Sequence, residues 1–170
     1  MQQPSNFIVL ATIAAGAGGG AAIDLCTRRV PNPLTVVLAA SGVVFAALGV
    51  SGLTIGASLA GFGLGLALML PGHLIGATGA GDVKLFAAVG ALIGPAPIVA
   101  AFFYTAVAGG VMALIVAARR RRFQQTIGGT ARLIATAAAN TAEIESPLAD
   151  NRFAYAPAIA VGTMMAALGL

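Results

Sequence analysis

Two aspartates stand in stretches that carry almost no other charge. Asp82 lies in Gly79-Ala80-Gly81-Asp82-Val83-Lys84-Leu85, and Asp24 opens Asp24-Leu25-Cys26-Thr27-Arg28-Arg29-Val30-Pro31-Asn32. A carboxylate inside or at the edge of apolar surroundings is costly, so each must face a wet cavity, a partner group or the other acid. Two carboxylates brought close cannot both ionise easily and share a proton; one can activate water as a base while the other donates a hydrogen bond to a carbonyl. That is the chemistry of an aspartic protease, with the pair titrating as one unit. Glycine before Asp82 fits it, because an unencumbered backbone lets an extended peptide approach closely. The plainer reading is that each acid caps a helix or anchors an interface beside Arg28 or Lys84.

Other chemistry has little support. The lone Cys26 cannot form an internal disulfide, and the single histidine, His73, reads as an interfacial residue on the same side as the acids. No Cys or His cluster has metal-ligand spacing, so neither a metal nor another cofactor is expected. The Arg119-Arg120-Arg121-Arg122 run supplies most of the net charge of +4. It reads as a topology anchor that meets anionic lipid headgroups; no aromatic or fold signal points to nucleic acid.

The elements that position the acids follow from hydropathy. The 170 residues are 59% hydrophobic and 8% charged, against roughly 25% charged in a soluble domain. No Asp, Glu, Lys or Arg occurs from Val30 to Gly81, or from Leu85 to Ala118. Each run is longer than the ~20 residues that one helix needs to cross the hydrocarbon core. We expect an all-α polytopic membrane protein of one domain, residues 1–170, in contact with the lipid bilayer. About six spans are expected, near 7–23, 34–50, 53–72, 82–94, 98–118 and 153–170, with turn residues between them such as Pro31-Asn32-Pro33 and Gly94-Pro95.

All nine Lys and Arg residues fall in the connections after the first, third and fifth spans, and so do all five acids. The positive-inside rule then places these connections in the cytoplasm and the N-terminus outside. Asp24 and Asp82 are expected at one depth, near the cytoplasmic face. Within the 119–152 segment, the pattern from Phe123 to Glu145 reads as an amphipathic helix on the membrane surface, with Asn140 and Glu143 at capping-box spacing. Small-residue pairs at Gly16/Gly20, Gly52/Gly56, Gly72/Gly76 and Gly90/Gly94 read as helix-packing features.

Taken together, these segments resemble a family. Gly79 to Leu85, continuing Phe86-Ala87-Ala88-Val89-Gly90, is similar to the signature of type IV prepilin peptidases, bacterial members of the Gly-x-Gly-Asp aspartic proteases. Asp24 to Asn32 resembles the family's first-aspartate segment, an Asp followed by basic residues and an Ile/Val-Pro-Asn turn. Tyr155-Ala156-Pro157-Ala158-Ile159-Ala160-Val161-Gly162 resembles its last-helix segment. The resemblance implies that Asp24 and Asp82 are the catalytic pair. Gly79, Gly81, Lys84, Arg28, Arg29, Pro31 and Asn32 are expected as motif and supporting residues; Arg28, Arg29 and Lys84 have no assigned catalytic role, and Lys84 is expected to meet headgroups or form a structural ion pair.

The implied substrate is a pilin precursor, cut between its short basic leader and the start of its hydrophobic helix. The implied location is the cytoplasmic side of the bacterial inner membrane. Longer relatives carry an insert with paired cysteines, and some methylate the new N-terminus. Only nine residues separate Asp24 from Leu34 here, so the chain looks like the short form of Flp/Tad pilus systems, without methylation. Other readings are a presenilin-like intramembrane protease with another substrate, a proton- or cation-conducting protein, and a non-catalytic membrane subunit.

Overall fold

Proline, glycine and one left-handed arginine set where the helices begin and end. The computed structural model describes residues 4–119 and 155–169, which form six helices and, among the described residues, no strand. They are α1 (Pro4–Thr27), α2 (Asn32–Ala47), α3 (Ile55–Leu74), α4 (Ala80–Ile93), α5 (Pro95–Arg119) and α6 (Ala156–Leu168). Each coincides with one of the six expected apolar stretches. The surface segment expected over 123–152 lies outside the described residues.

The ends differ from expectation for local reasons. α1 runs past Asp24 to Thr27 and stops at Arg28, whose φ of 53° is left-handed. The Pro31-Asn32-Pro33 string is less a turn than a helix start: Pro31 is the N-cap of α2, and proline is tolerated where the backbone N–H would have no helical partner. The same tolerance lets α5 begin at Pro95, three residues before the expected Ile98. Pro71 falls inside α3, which continues to Leu74.

Three helices contain segments long and apolar enough to cross a membrane: Phe7–Thr27, Ile55–Leu74 and Pro95–Val116. The protein is a membrane protein, and its surface agrees. Val36, Val37, Leu59, Phe103 and Val107 are all more than half exposed, where a soluble protein would scatter such side chains singly. The other three helices have 16, 14 and 13 residues, or roughly 20–24 Å at 1.5 Å per residue.

One short helix organises the rest. α4 packs against all five others, and every residue from Leu85 to Ile93 is buried. A helix that is apolar all round belongs in an interior. Phe86, Leu85, Leu92 and Val89 fill that interior together with Ile13, Ile98 and Ile159.

Glycine allows α3 and α4 to touch backbone to backbone. A Cβ on Gly61 would collide with the carbonyl oxygen of Gly90, and one on Gly65 would lie 2.9 Å from the Ala87 Cα. On the opposite flank, a Cβ on Gly42 of α2 would lie 2.7 Å from the Ala91 carbonyl carbon. Ser58 Oγ adds a buried 2.7 Å hydrogen bond to the Ala91 carbonyl, one of the last-turn carbonyls that a helix leaves without an internal partner. Of the glycine pairs expected to pack helices, Gly16, Gly20 and Gly90 do so. Gly52, Gly76 and Gly94 instead take positive φ in connections. Gly56 has only a distant neighbour and Gly72 meets Thr78.

The close α3–α4 contact is testable. Gly61→Ala should lower stability by about 1–3 kcal/mol, the range for overpacking a tight core. Gly63→Ala, at a site with nothing within 4 Å of the added methyl, should change it little. Thermal unfolding in detergent micelles compares the two; equal midpoints would contradict the packing.

Candidate active site

Three helix ends meet at one side of the bundle. Asp24 lies in the last turn of α1, Asp82 in the first turn of α4, and Tyr155–Ala156 at the start of α6. The chain direction therefore brings both acids and the α6 N-terminus to the same end, where Asn32 begins α2.

Asp82 is only 7% exposed and is held by its own helix. Its Oδ2 accepts a 3.0 Å hydrogen bond from the N–H of Gly79, the N-cap residue. This is one half of a capping box, and it puts an anion at the positive end of a helix dipole. The plainer reading of Asp82 as a helix cap is thus correct for one oxygen. The other, Oδ1, is buried without a hydrogen-bond partner among the described residues. A buried acceptor left in that state is a place for a proton or a water.

Asp24 is 6% exposed and sits at the other end of a helix, where the dipole offers it no support. Support comes from α6. The buried N–H of Ala156 donates to Asp24 Oδ2 at 3.4 Å, across 132 positions of sequence. Asp24 and Asp82 lie within electrostatic reach of each other, and Tyr155 lies within reach of Asp82. Each acid is therefore held by a backbone N–H at the start of a helix.

The two aspartate segments are also tied directly. Lys84 is exposed, on the far side of the α4 turn from Asp82, and its Nζ donates to Asn32 Oδ1 at 3.0 Å. Val30 packs on Gly81: a Cβ there would lie 3.0 Å from Val30 Cβ. At Gly79 a Cβ would come within 3.1 Å of Asp82 Oδ2. Both glycines thus have a role inside the fold, in addition to any peptide they admit.

The remaining sequence candidates sit at the rim. Arg28, Arg29 and Cys26 are exposed, and the Arg28 N–H closes α1 on the Asp24 carbonyl at 2.7 Å. His73 is exposed and its Nδ1 bonds the Thr78 carbonyl at 3.0 Å, bracing the connection that leads to Gly79. Among the described residues, no three His, Cys, Asp or Glu side chains gather to hold a metal ion. An apolar furrow of roughly 500 Å³ between α1 and α2, lined by Phe7, Ala15, Val37 and Leu38, opens elsewhere on α1. Ala15 and Asp24 are nine residues apart, which at 100° per residue puts them on opposite faces.

Two contacts had no clear signal in the sequence. A backbone donor such as the Ala156 N–H has no residue identity to recognise, and only Pro157 marks the helix start that supplies it. The Lys84–Asn32 bond joins two short motifs that periodicity analysis treats separately.

Comparison with known proteins gives one result. The sequence model of the type IV leader peptidase family matches residues 7–114, which include both aspartate segments. No curated protein and no solved structure matches the chain.

The Lys84–Asn32 bond should be measurable as coupling. Lys84→Ala and Asn32→Ala should each cost about 0.5–1.5 kcal/mol of stability, and the double variant little more than either, because both remove the same hydrogen bond. A double-mutant cycle on detergent-solubilised protein reads this; strictly additive losses would mean that the contact carries no energy.

Proposed function

The chain belongs to the type IV leader peptidase family, and we propose that it is an aspartic endopeptidase of the bacterial inner membrane. It removes the leader from pilin-like precursors of the Flp/Tad type at the cytoplasmic face. Asp24 and Asp82 form the catalytic pair within a single domain, residues 1–170, whose six helices all cross the bilayer with the N-terminus outside.

One observation carries the reading. Two carboxylates, each under a tenth exposed, share one end of an otherwise apolar bundle, and Oδ1 of Asp82 has no partner among the described residues. A purely capping pair would not need both acids at the same place. With one proton shared between them, the ionised member takes a proton from water as the water attacks the scissile carbonyl. The protonated member hydrogen-bonds the carbonyl oxygen and stabilises the negative charge that develops there. Collapse of the tetrahedral diol breaks the C–N bond, and a proton passes to the departing amine.

The position of the acids supports the substrate class. A bond cut just before a hydrophobic helix lies at the boundary between membrane and water, and both acids lie at helix ends. Gly79 and Gly81 shape the backbone beside Asp82, while Pro31, Asn32 and Lys84 fix the two motifs to each other. Arg28 and Arg29 add positive charge on the cytoplasmic side. The four-residue connection from Arg28 to Pro31 leaves no room for a cysteine-bearing insert, in keeping with a short form that does not methylate.

Cleavage of a pilin-like precursor, assayed in membranes with matched expression, tests the pair. Asp24→Asn and Asp82→Asn should each reduce cleavage by about 10²–10⁴-fold, the scale of general acid–base catalysis. Persistent cleavage in either variant would remove that residue from catalysis.

Orientation can be read from the native thiol. Cys26 is exposed at the acid-bearing end, so in intact cells it should resist a membrane-impermeant maleimide and react once the membrane is opened. In a Cys26→Ser background, Ser51→Cys should be labelled from outside. The reverse pattern would invert the topology.

A further inference from the structure

The α6 N–H that holds Asp24 is at the edge of its range, so whatever sets the depth of α6 also sets the position of the acid. Two contacts to α5 bear on it. A Cβ on Gly162 would lie 2.7 Å from Thr105 Cα, so α6 rests directly on the α5 backbone there. Two turns nearer the acids, the Tyr155 ring rests on Gly109, where a Cβ would lie 2.5 Å from Cε2 and 2.9 Å from Cζ. The Tyr155 hydroxyl also points to the Thr105 carbonyl at 3.5 Å, a distance at which a hydrogen bond contributes little. The ring's seat, more than its hydroxyl, is the fixed point.

Tyr155 is joined through one peptide bond to Ala156, whose N–H reaches Asp24 Oδ2 at 3.4 Å. At that length there is no slack, and withdrawal by about 1 Å ends the bond. The acid at the end of α1 would then lose the helix N-terminus that offsets its own unfavourable position.

We propose that Tyr155 is a positioning residue: its ring, seated on Gly109 of α5, sets the depth of the α6 N-terminus and thereby aligns Asp24 with Asp82. This rests on the catalytic pair proposed above. It assigns a function to the small size of Gly109, a residue on a different helix from either acid. Its neighbour Gly110 has nothing within 4 Å of an added methyl and serves as the control.

The experiment measures kcat and KM of purified, reconstituted protein on a precursor peptide containing a leader and the start of its hydrophobic helix. Tyr155→Ala, which removes the ring, and Gly109→Leu, which displaces it, should each lower kcat about ten- to hundredfold with KM within about threefold, the scale of a 1 Å misplacement. Tyr155→Phe should keep most of the activity, because the ring stays. The double variant Tyr155→Ala/Gly109→Leu should recover much of the loss, since the new side chain fills the space the ring left. Gly110→Ala should match the wild type.

Unchanged kcat in Tyr155→Ala overturns the proposal. So does a Tyr155→Phe loss as deep as that of Tyr155→Ala, or a double variant no better than the worse single one. Asp24→Asn, assayed in parallel, separates the failures. If it is inactive while Tyr155→Ala is normal, only the positioning role falls; if it still cleaves, the pair falls and the positioning role with it.

Discussion

Burying two carboxylates among apolar helices is the constraint on which this structure depends. Each acid has one oxygen on a backbone N–H at the start of a helix: Asp82 on Gly79 of its own helix, Asp24 on Ala156 of α6. A helix N-terminus offers unsatisfied donors and a partial positive charge without bringing in another mobile charged group. The arrangement supports one oxygen of each acid and, among the described residues, leaves Oδ1 of Asp82 without a hydrogen-bond partner. Lys84, close in sequence, is turned away to Asn32, so its charge does not neutralise the pair.

That constraint also bears on how the helices are held together. Positioning an acid to within an ångström needs helices that cannot slide, and in lipid there is no hydrophobic force between helices to hold them. Contacts of backbone on backbone serve instead. Gly61 against Gly90, Gly65 against Ala87 and Gly42 against Ala91 hold α4 on two flanks. α6 is held to α5 in the same way through Gly162. Asp82 thus stands at the start of the most enclosed helix, while the longer α1, which carries Asp24 at its end, and α3 and α5 present apolar side chains outward.

Some residues carry two functions. A Cβ on Gly79 would crowd the Asp82 carboxylate that folds back onto its N–H, at 3.1 Å, and one on Gly81 would crowd Val30 at 3.0 Å. From sequence, both read only as room for a peptide. The glycine pairs Gly52/Gly56 and Gly72/Gly76 read as helix contacts but lie at or beside connections, whereas Gly61 and Gly65, four apart in α3, are a true contact that was not singled out. Spacing identifies a stripe of small residues; whether another helix lies on it depends on the partner, which spacing does not contain.

By itself the sequence determined the class of protein, the number and rough place of the helices, and the two acids. Those follow from local quantities: apolar runs of sufficient length, charge confined to alternate connections, and carboxylates where a carboxylate is expensive. It also held the helix ends within a few residues, missing mainly where prolines start a helix and where Asp24 is drawn into α1. Only the tertiary structure decided what holds each acid. The Ala156 N–H, the Tyr155 ring on Gly109 and the Lys84–Asn32 bond join residues 46 to 132 positions apart. Such contacts depend on how helices cross and how deep each one sits. Backbone donors and the absence of a Cβ have no pattern along the chain until the helices are packed together.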